Sequence, residues 1–122
     1  MVLNRRQAKV PQLPQQIEPC EELGGDVVVR GLLLSKRMEI DEINDKAKVP
    51  LEGETDEEAR TRAGKLVIPR TLHACVVDDE GEPVLSPEQW DVFGGAHRAT
   101  TYRLFEIALR MCGRITEDVR KN

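Results

Sequence analysis

Every aromatic side chain in this sequence falls in its last third. Trp90, Phe93, Tyr102 and Phe105 are the only four. Aromatic side chains bring the largest buried area per residue, so the core is expected toward the C-terminus. The segments before them have less to pack with. That points to a loose N-terminal half, or to a partner that completes it. The 122 residues are enough for one domain with a small core.

Local signals divide the chain. Residues 1–16 hold two prolines and four glutamines with few apolar side chains, and read as a mobile arm. "QIEPCEELGGDVVVRGL" then offers two extended runs around Gly24-Gly25, a hairpin signal. Val27, Val28 and Val29 favour the second strand, and Pro19 makes the first an edge strand. A helix from Ser35 to about Lys46 follows, with Ile40, Ile43 and Ala47 on one face. Pro50 and Gly53 break the chain. Thr55 to Glu58 forms a capping box for a helix running toward Val77, interrupted by Pro69.

The next helix start is stronger. Ser86-Pro87-Glu88-Gln89 combines a cap residue, proline at the first helical position and glutamine at the capping-box position. Gly94-Gly95 is expected to stop this short helix. The last long helix spans about Ala96 to Cys112 and ends at Gly113. These elements describe a mainly α (α+β) fold, a small helical domain with a short N-terminal β-hairpin. Its parts are an arm (1–16), a single domain (17–113) and a C-terminal tail (114–122) of about one frayed turn.

Between these helix signals lies "VVDDEGEPVLSPEQW", with Asp78, Asp79, Glu80 and Glu82 around Gly81. A calcium loop of the EF-hand type with glycine at its sixth position would begin at Val76 and end at Pro87, and neither can be a side-chain ligand. Paired-carboxylate catalysis needs groups converging in a pocket. Acids on a connector normally face water, so the cluster reads as a solvated turn. His73, Cys75, His97 and Cys112 match no standard zinc spacing, and no orienting group or oxyanion site accompanies a Cys–His pair. Gly24-Gly25, Gly94-Gly95 and Gly113 build no phosphate loop. No enzyme, metal or cofactor is expected.

Cys20, Cys75 and Cys112 are an odd number without a C-x-x-C pair, which argues against a disulfide framework and for a reducing compartment. No transmembrane run or signal peptide is seen, so no membrane role is expected. Charge is segregated. Residues 1–15 carry a net +3, 16–95 a net −10 and 96–122 a net +3. Such a split suits head-to-tail contact between copies, or simply solubility.

The last helix is the most informative segment. Tyr102, Phe105, Ala108, Leu109 and Cys112 form one apolar stripe, and Leu104, Ile107 and Met111 form a second. The apolar arc spans roughly 200°, against about 100° for a helix packed on one side. Either the domain encloses the helix, or one stripe makes the core and the other meets a partner. The aromatic stripe is the expected core, which leaves Leu104, Ile107 and Met111 as the partner-binding candidates. The helix before it and the Gly-Gly turn also resemble a helix-turn-helix, with His97, Arg98, Thr100, Thr101 and Arg103 leading its second helix. The acidic middle of the chain argues against DNA or any other nucleic acid.

The order "GGDVVVRGLLLSKRMEI", then "LHACVVDDEGEPVLSPEQWDVFGGAHRATTYRLFEIALRMCG", resembles the tail assembly chaperones of long-tailed bacteriophages, close to that of phage HK97. The likeness covers about residues 17–113 and rests on the order of elements and the "V-D-D-E-G-E-P-V" turn. Pro69 is the feature that departs from the family's pattern. The resemblance implies a helical fold with a small β element and a protein that self-associates as a homo-oligomer. It implies two partners, the tape measure protein, kept soluble before the tail tube closes around it, and the major tail tube protein, recruited to it. It also implies action in the host cytoplasm, absence from the mature virion, and in many phages a longer frameshifted form. Another phage morphogenesis adaptor is the alternative reading, and a helix-turn-helix regulator a third.

Overall fold

The structure, a computed structural model, describes residues 1–113. The expected tail, 114–122, lies outside the described residues. Strand β1 (Gln15–Cys20) pairs antiparallel with β2 (Gly25–Arg30). A 3-10 turn over Glu21–Leu23 joins them and closes on Gly24, whose φ of 97° is a left-handed value that glycine adopts at no steric cost. Val27 and Val29 point inward from β2 and are buried, in the alternation expected of a strand with one face on the core. β1 begins two residues inside the segment read as an arm. Within that arm, Arg5–Gln7 forms a 3-10 turn capped by the Asn4 side chain.

The chain then leaves the sheet for α1 (Leu34–Lys46). Ser35 is not its cap. Leu33 occupies that position, and no side chain bonds the first amides. Only Ile40 is buried along α1, and Ile43 faces outward. α2 (Asp56–Gly64) begins at the Thr55 capping box, with both reciprocal bonds formed. Three acids in its first turn meet the positive end of the helix dipole.

The interruption expected at Pro69 falls slightly earlier. α3 spans Val67–Cys75, so Pro69 occupies its third position. Amides in a first turn have no partner within the helix, and a proline there breaks no bond. Of the kink or two shorter helices expected there, two short helices form. α3 passes directly into β3 (Val76–Val77), which pairs with β2 through Val28–Val77 and Val29–Val76. This third strand gives a sheet of order β1-β2-β3, larger than the expected hairpin.

α4 (Pro87–Ala96) opens on the Ser86 capping box. It runs through Gly94 and Gly95, because neither takes the positive φ that ends a helix. The break comes at His97, with φ −134° and ψ 66°, and α5 (Arg98–Met111) follows. Trp90, Leu72, Leu104, Ile107, Ala108, Cys75 and Val76 make the core together with Cys20, Val27 and Val29 from the hairpin. Burying a tryptophan removes about 200 Å² from water, roughly 5 kcal/mol before entropy is counted. The C-terminal core is therefore as expected around Trp90, but the N-terminal hairpin is part of it. The domain is a small, mainly helical α+β unit.

Candidate interaction surface and buried thiol pair

α5 lies across β2 and against α3 and α4. Its buried residues are Thr101, Leu104, Ile107 and Ala108. This corrects the assignment of the two stripes. Leu104 is fully buried, Ile107 is 4% exposed, and Met111 is half-buried against the core. The stripe expected to be spare is the centre of the packed face. Tyr102, expected in the core, is 47% exposed and carries the Arg98 guanidinium 5.5 Å from its ring centroid. Phe105 and Leu109 flank the core, half-buried. The wide apolar arc is thus used by the domain itself, because the sheet and two helices surround α5 on three sides.

Polar contacts fix the same helix. Arg103 reaches from α5 to the Glu18 carboxylate and donates to the Pro19 carbonyl on β1. Thr100 donates to Glu22 at 2.9 Å. Together with the carboxylate's own backbone amide, this bond holds Glu22 below the usual carboxylate range. Arg103, one of the candidate DNA-contacting residues, is therefore engaged within the fold. His97 and Arg98 are exposed, Thr100 is half-buried and Thr101 is buried.

The acidic segment forms a tight turn. The Asp78 carboxylate accepts from the amides of Glu80 and Glu82 at 2.8 and 3.0 Å, and Gly81 has φ 80°. The backbone closes through Asp78 and Glu82 and a bridge from Val77 to Pro83. Arg30 donates to the Ala74 carbonyl near the C-terminal end of α3, where a cation suits the helix dipole. Among the described residues, no three His, Cys, Asp or Glu side chains converge as ligands for one ion. None of the described helices is long and apolar enough to cross a membrane.

Apolar side chains left in solvent lie mostly away from α5. Leu33, Leu34 and Met38 line the start of α1, and Val49 and Leu51 follow in the connector to α2. Leu34 and Met38 are one turn apart and 75% and 61% exposed. Asp41, Glu42 and Asp45 continue the helix beside them. On the sheet, Ile17 of the edge strand also faces outward, opposite Val28.

One buried cluster was not foreseen. The sulfurs of Cys75, the last residue of α3, and Cys112, the C-cap of α5, are 3.8 Å apart. Arg37 of α1 acts on both sulfurs electrostatically. Its Nε lies 3.5 Å from Asp41, yet Nε and Nη1 are buried without a hydrogen bond. The hydrogen bond between the two sulfurs, the Leu32 amide and Arg37 all favour a thiolate on Cys112. Together they pull Cys112 down to about 6, against burial. Cys75 is pushed up, by that same bond and by burial. Their spacing of 37 positions carries no motif, so only the fold brings them together.

No family model, no curated protein and no solved structure matches the chain.

Proposed function

We propose that this chain is a tail assembly chaperone of a long-tailed bacteriophage. It would bind and solubilise the tape measure protein and help recruit tail tube subunits, acting in the host cytoplasm and leaving before the virion is complete. The observation that carries the reading is the exposed apolar start of α1, Leu33, Leu34 and Met38, which the domain's own core does not use. The order of elements leading into the acidic turn and the final helix supports it. A long helical client with apolar faces can be covered in the helix-in-groove manner. Contacts of this size are weak one at a time, and many copies along one rod supply avidity.

The contact surface is accordingly placed on α1. The test is co-expression with the tape measure protein of the same phage genome, reading that protein's solubility and its co-elution with this chain. Rescue with co-elution supports the chaperone role. Failure with both proteins well expressed, and with the longer frameshifted form also supplied, overturns it. A Leu34→Glu, Met38→Glu double variant should stay folded and lose most of the rescue. Full rescue by that variant would move the contact elsewhere without touching the role.

A further inference from the structure

The thiol cluster lies on the buried side of that same helix, where Arg37 of α1 meets Cys75 and Cys112. Two sulfurs at 3.8 Å need to close by somewhat under 2 Å to reach a disulfide bond length. Each belongs to a helix end, where the chain is about to change direction. Beside them is the Arg37 guanidinium, whose buried Nε and Nη1 make no hydrogen bond and whose Nε is ion-paired with Asp41 at 3.5 Å. A buried cation is costly without an anion to answer it. Asp41 answers it from 3.5 Å at Nε, and the Cys112 sulfur is a second group placed to take up that charge. Cys112 is half-buried and Cys75 fully buried, so Cys112 is the more accessible of the two residues.

We propose that Cys112 and Cys75 form a peroxide-reactive dithiol, in which Cys112 is the attacking thiolate, Cys75 the resolving thiol and Arg37 the counter-ion. The Cys112 thiolate attacks one oxygen of hydrogen peroxide. The S–O bond forms as the O–O bond breaks, and the leaving hydroxide takes a proton to become water. The Cys75 sulfur then attacks the resulting sulfenic acid. The S–S bond forms, the S–O bond breaks, and hydroxide leaves as water with the Cys75 proton. Two thiols lose two electrons in all, and one peroxide becomes two waters. Closing the bond removes the Cys112 thiolate from beside Arg37 and leaves the guanidinium to Asp41, while bolting the ends of α3 and α5 together.

The experiment is stoichiometric hydrogen peroxide added to the reduced full chain, followed by intact mass and non-reducing peptide mapping. The expected product has lost two hydrogens and carries a Cys75–Cys112 link, with Cys20 still free to alkylate. Cys75→Ser should stop at a sulfenic acid on Cys112 that dimedone traps. Arg37→Met, if folded by circular dichroism, should slow the peroxide reaction at pH 7 roughly tenfold, as a thiolate that loses its stabilising cation becomes scarcer. Should Arg37→Met not fold, the mapping and the Cys75→Ser product decide alone. A link through Cys20, stable oxidation of Cys112 in the native chain with no link, or no reaction at all overturns the proposal. An unchanged rate in folded Arg37→Met overturns the role of the arginine.

Discussion

His73 Nδ1 lies 2.9 Å from the carbonyl oxygen of Leu85. A carbonyl only accepts, so Nδ1 carries the proton and the ring tautomer is set by this bond. It ties the middle of α3 to the last residue before the Ser86 cap, across the acidic turn. The turn thus has an anchored exit as well as its Asp78-centred hydrogen bonds. His73→Ala removes the donor and leaves a half-buried carbonyl unsatisfied. The expected cost is about 1 kcal/mol, read as a lower urea midpoint with an unchanged slope.

Ile107 is the sharpest test of how α5 packs. A carboxylate at a 4% exposed site has no partner there and would be buried as a charge. Ile107→Glu should therefore unfold the domain, and Ile107→Val should cost about 1 kcal/mol. A folded Ile107→Glu protein in a thermal melt would return this face to the surface.

Gly31 is required by a close approach. A side-chain carbon there would sit on the carbonyl oxygen of Met111 and beside Pro14. Backbone atoms cannot swing aside as a flexible side chain can. Gly31→Ala should be destabilising by roughly 1–3 kcal/mol, in the range of overpacked sites. Gly95→Ala, which meets nothing within 4 Å on a helix, should stabilise by about 0.5–1 kcal/mol. Paired melts of the two variants check both signs.

The capping boxes at Thr55 and Ser86 offer a matched pair. Each hydroxyl satisfies one helix amide, and Thr55→Ala and Ser86→Ala should each cost about 1 kcal/mol. α2 buries only Ala59 and Ala63, while α4 buries Trp90. Loss of the Thr55 cap should therefore show mainly as local fraying in hydrogen exchange, and loss of the Ser86 cap as a fall in global stability.

Alkylation of Cys112 should follow its lowered ionisation. With the thiol drawn down from 9.0 to about 6, the iodoacetamide rate should rise through about pH 6 and level off well before pH 9. It should fall as pH drops below 6, because the thiolate is the nucleophile. The charged or bonding groups around it are Cys75, Arg37 and the Leu32 amide, with Arg30 facing Cys75. A rate still climbing at pH 9 would show an ordinary thiol.

Local chemistry was legible where it is local. The two capping boxes and the Asp-Glu-Gly turn each act over a few residues and form as read; the hairpin forms too, but through a 3-10 turn over Glu21–Leu23 that closes on Gly24, with Gly25 already in β2. Two local readings failed, the Ser35 cap and the stop at Gly94-Gly95, and the other misreadings came from contacts between distant segments. Tyr102 and Leu104 are both apolar enough for either face of α5, and a helical wheel cannot say where β2 and α3 will press on it. The two-residue β3 was hidden because Val76 and Val77 continue an apolar helical run. Cys75 and Cys112 were weighed only as zinc ligands and as members of an odd cysteine set, and nothing in the sequence joined Arg37 to them. Their meeting depends on three helix positions that no spacing encodes.

The pairing of β2 with β3 has a consequence for how such a chain diverges. Val28 and Val29 meet Val77 and Val76, so α1, its connector and α2 form an excursion that leaves the sheet, while α3 brings the chain back to it. The excursion buries Ile40, Ala59 and Ala63 as its closed-in apolar side chains. Length changes between Pro50 and Gly53 would leave every strand pairing and the whole central core in register. Descendants of this sequence can therefore exchange one α1 surface for another while inheriting the same scaffold.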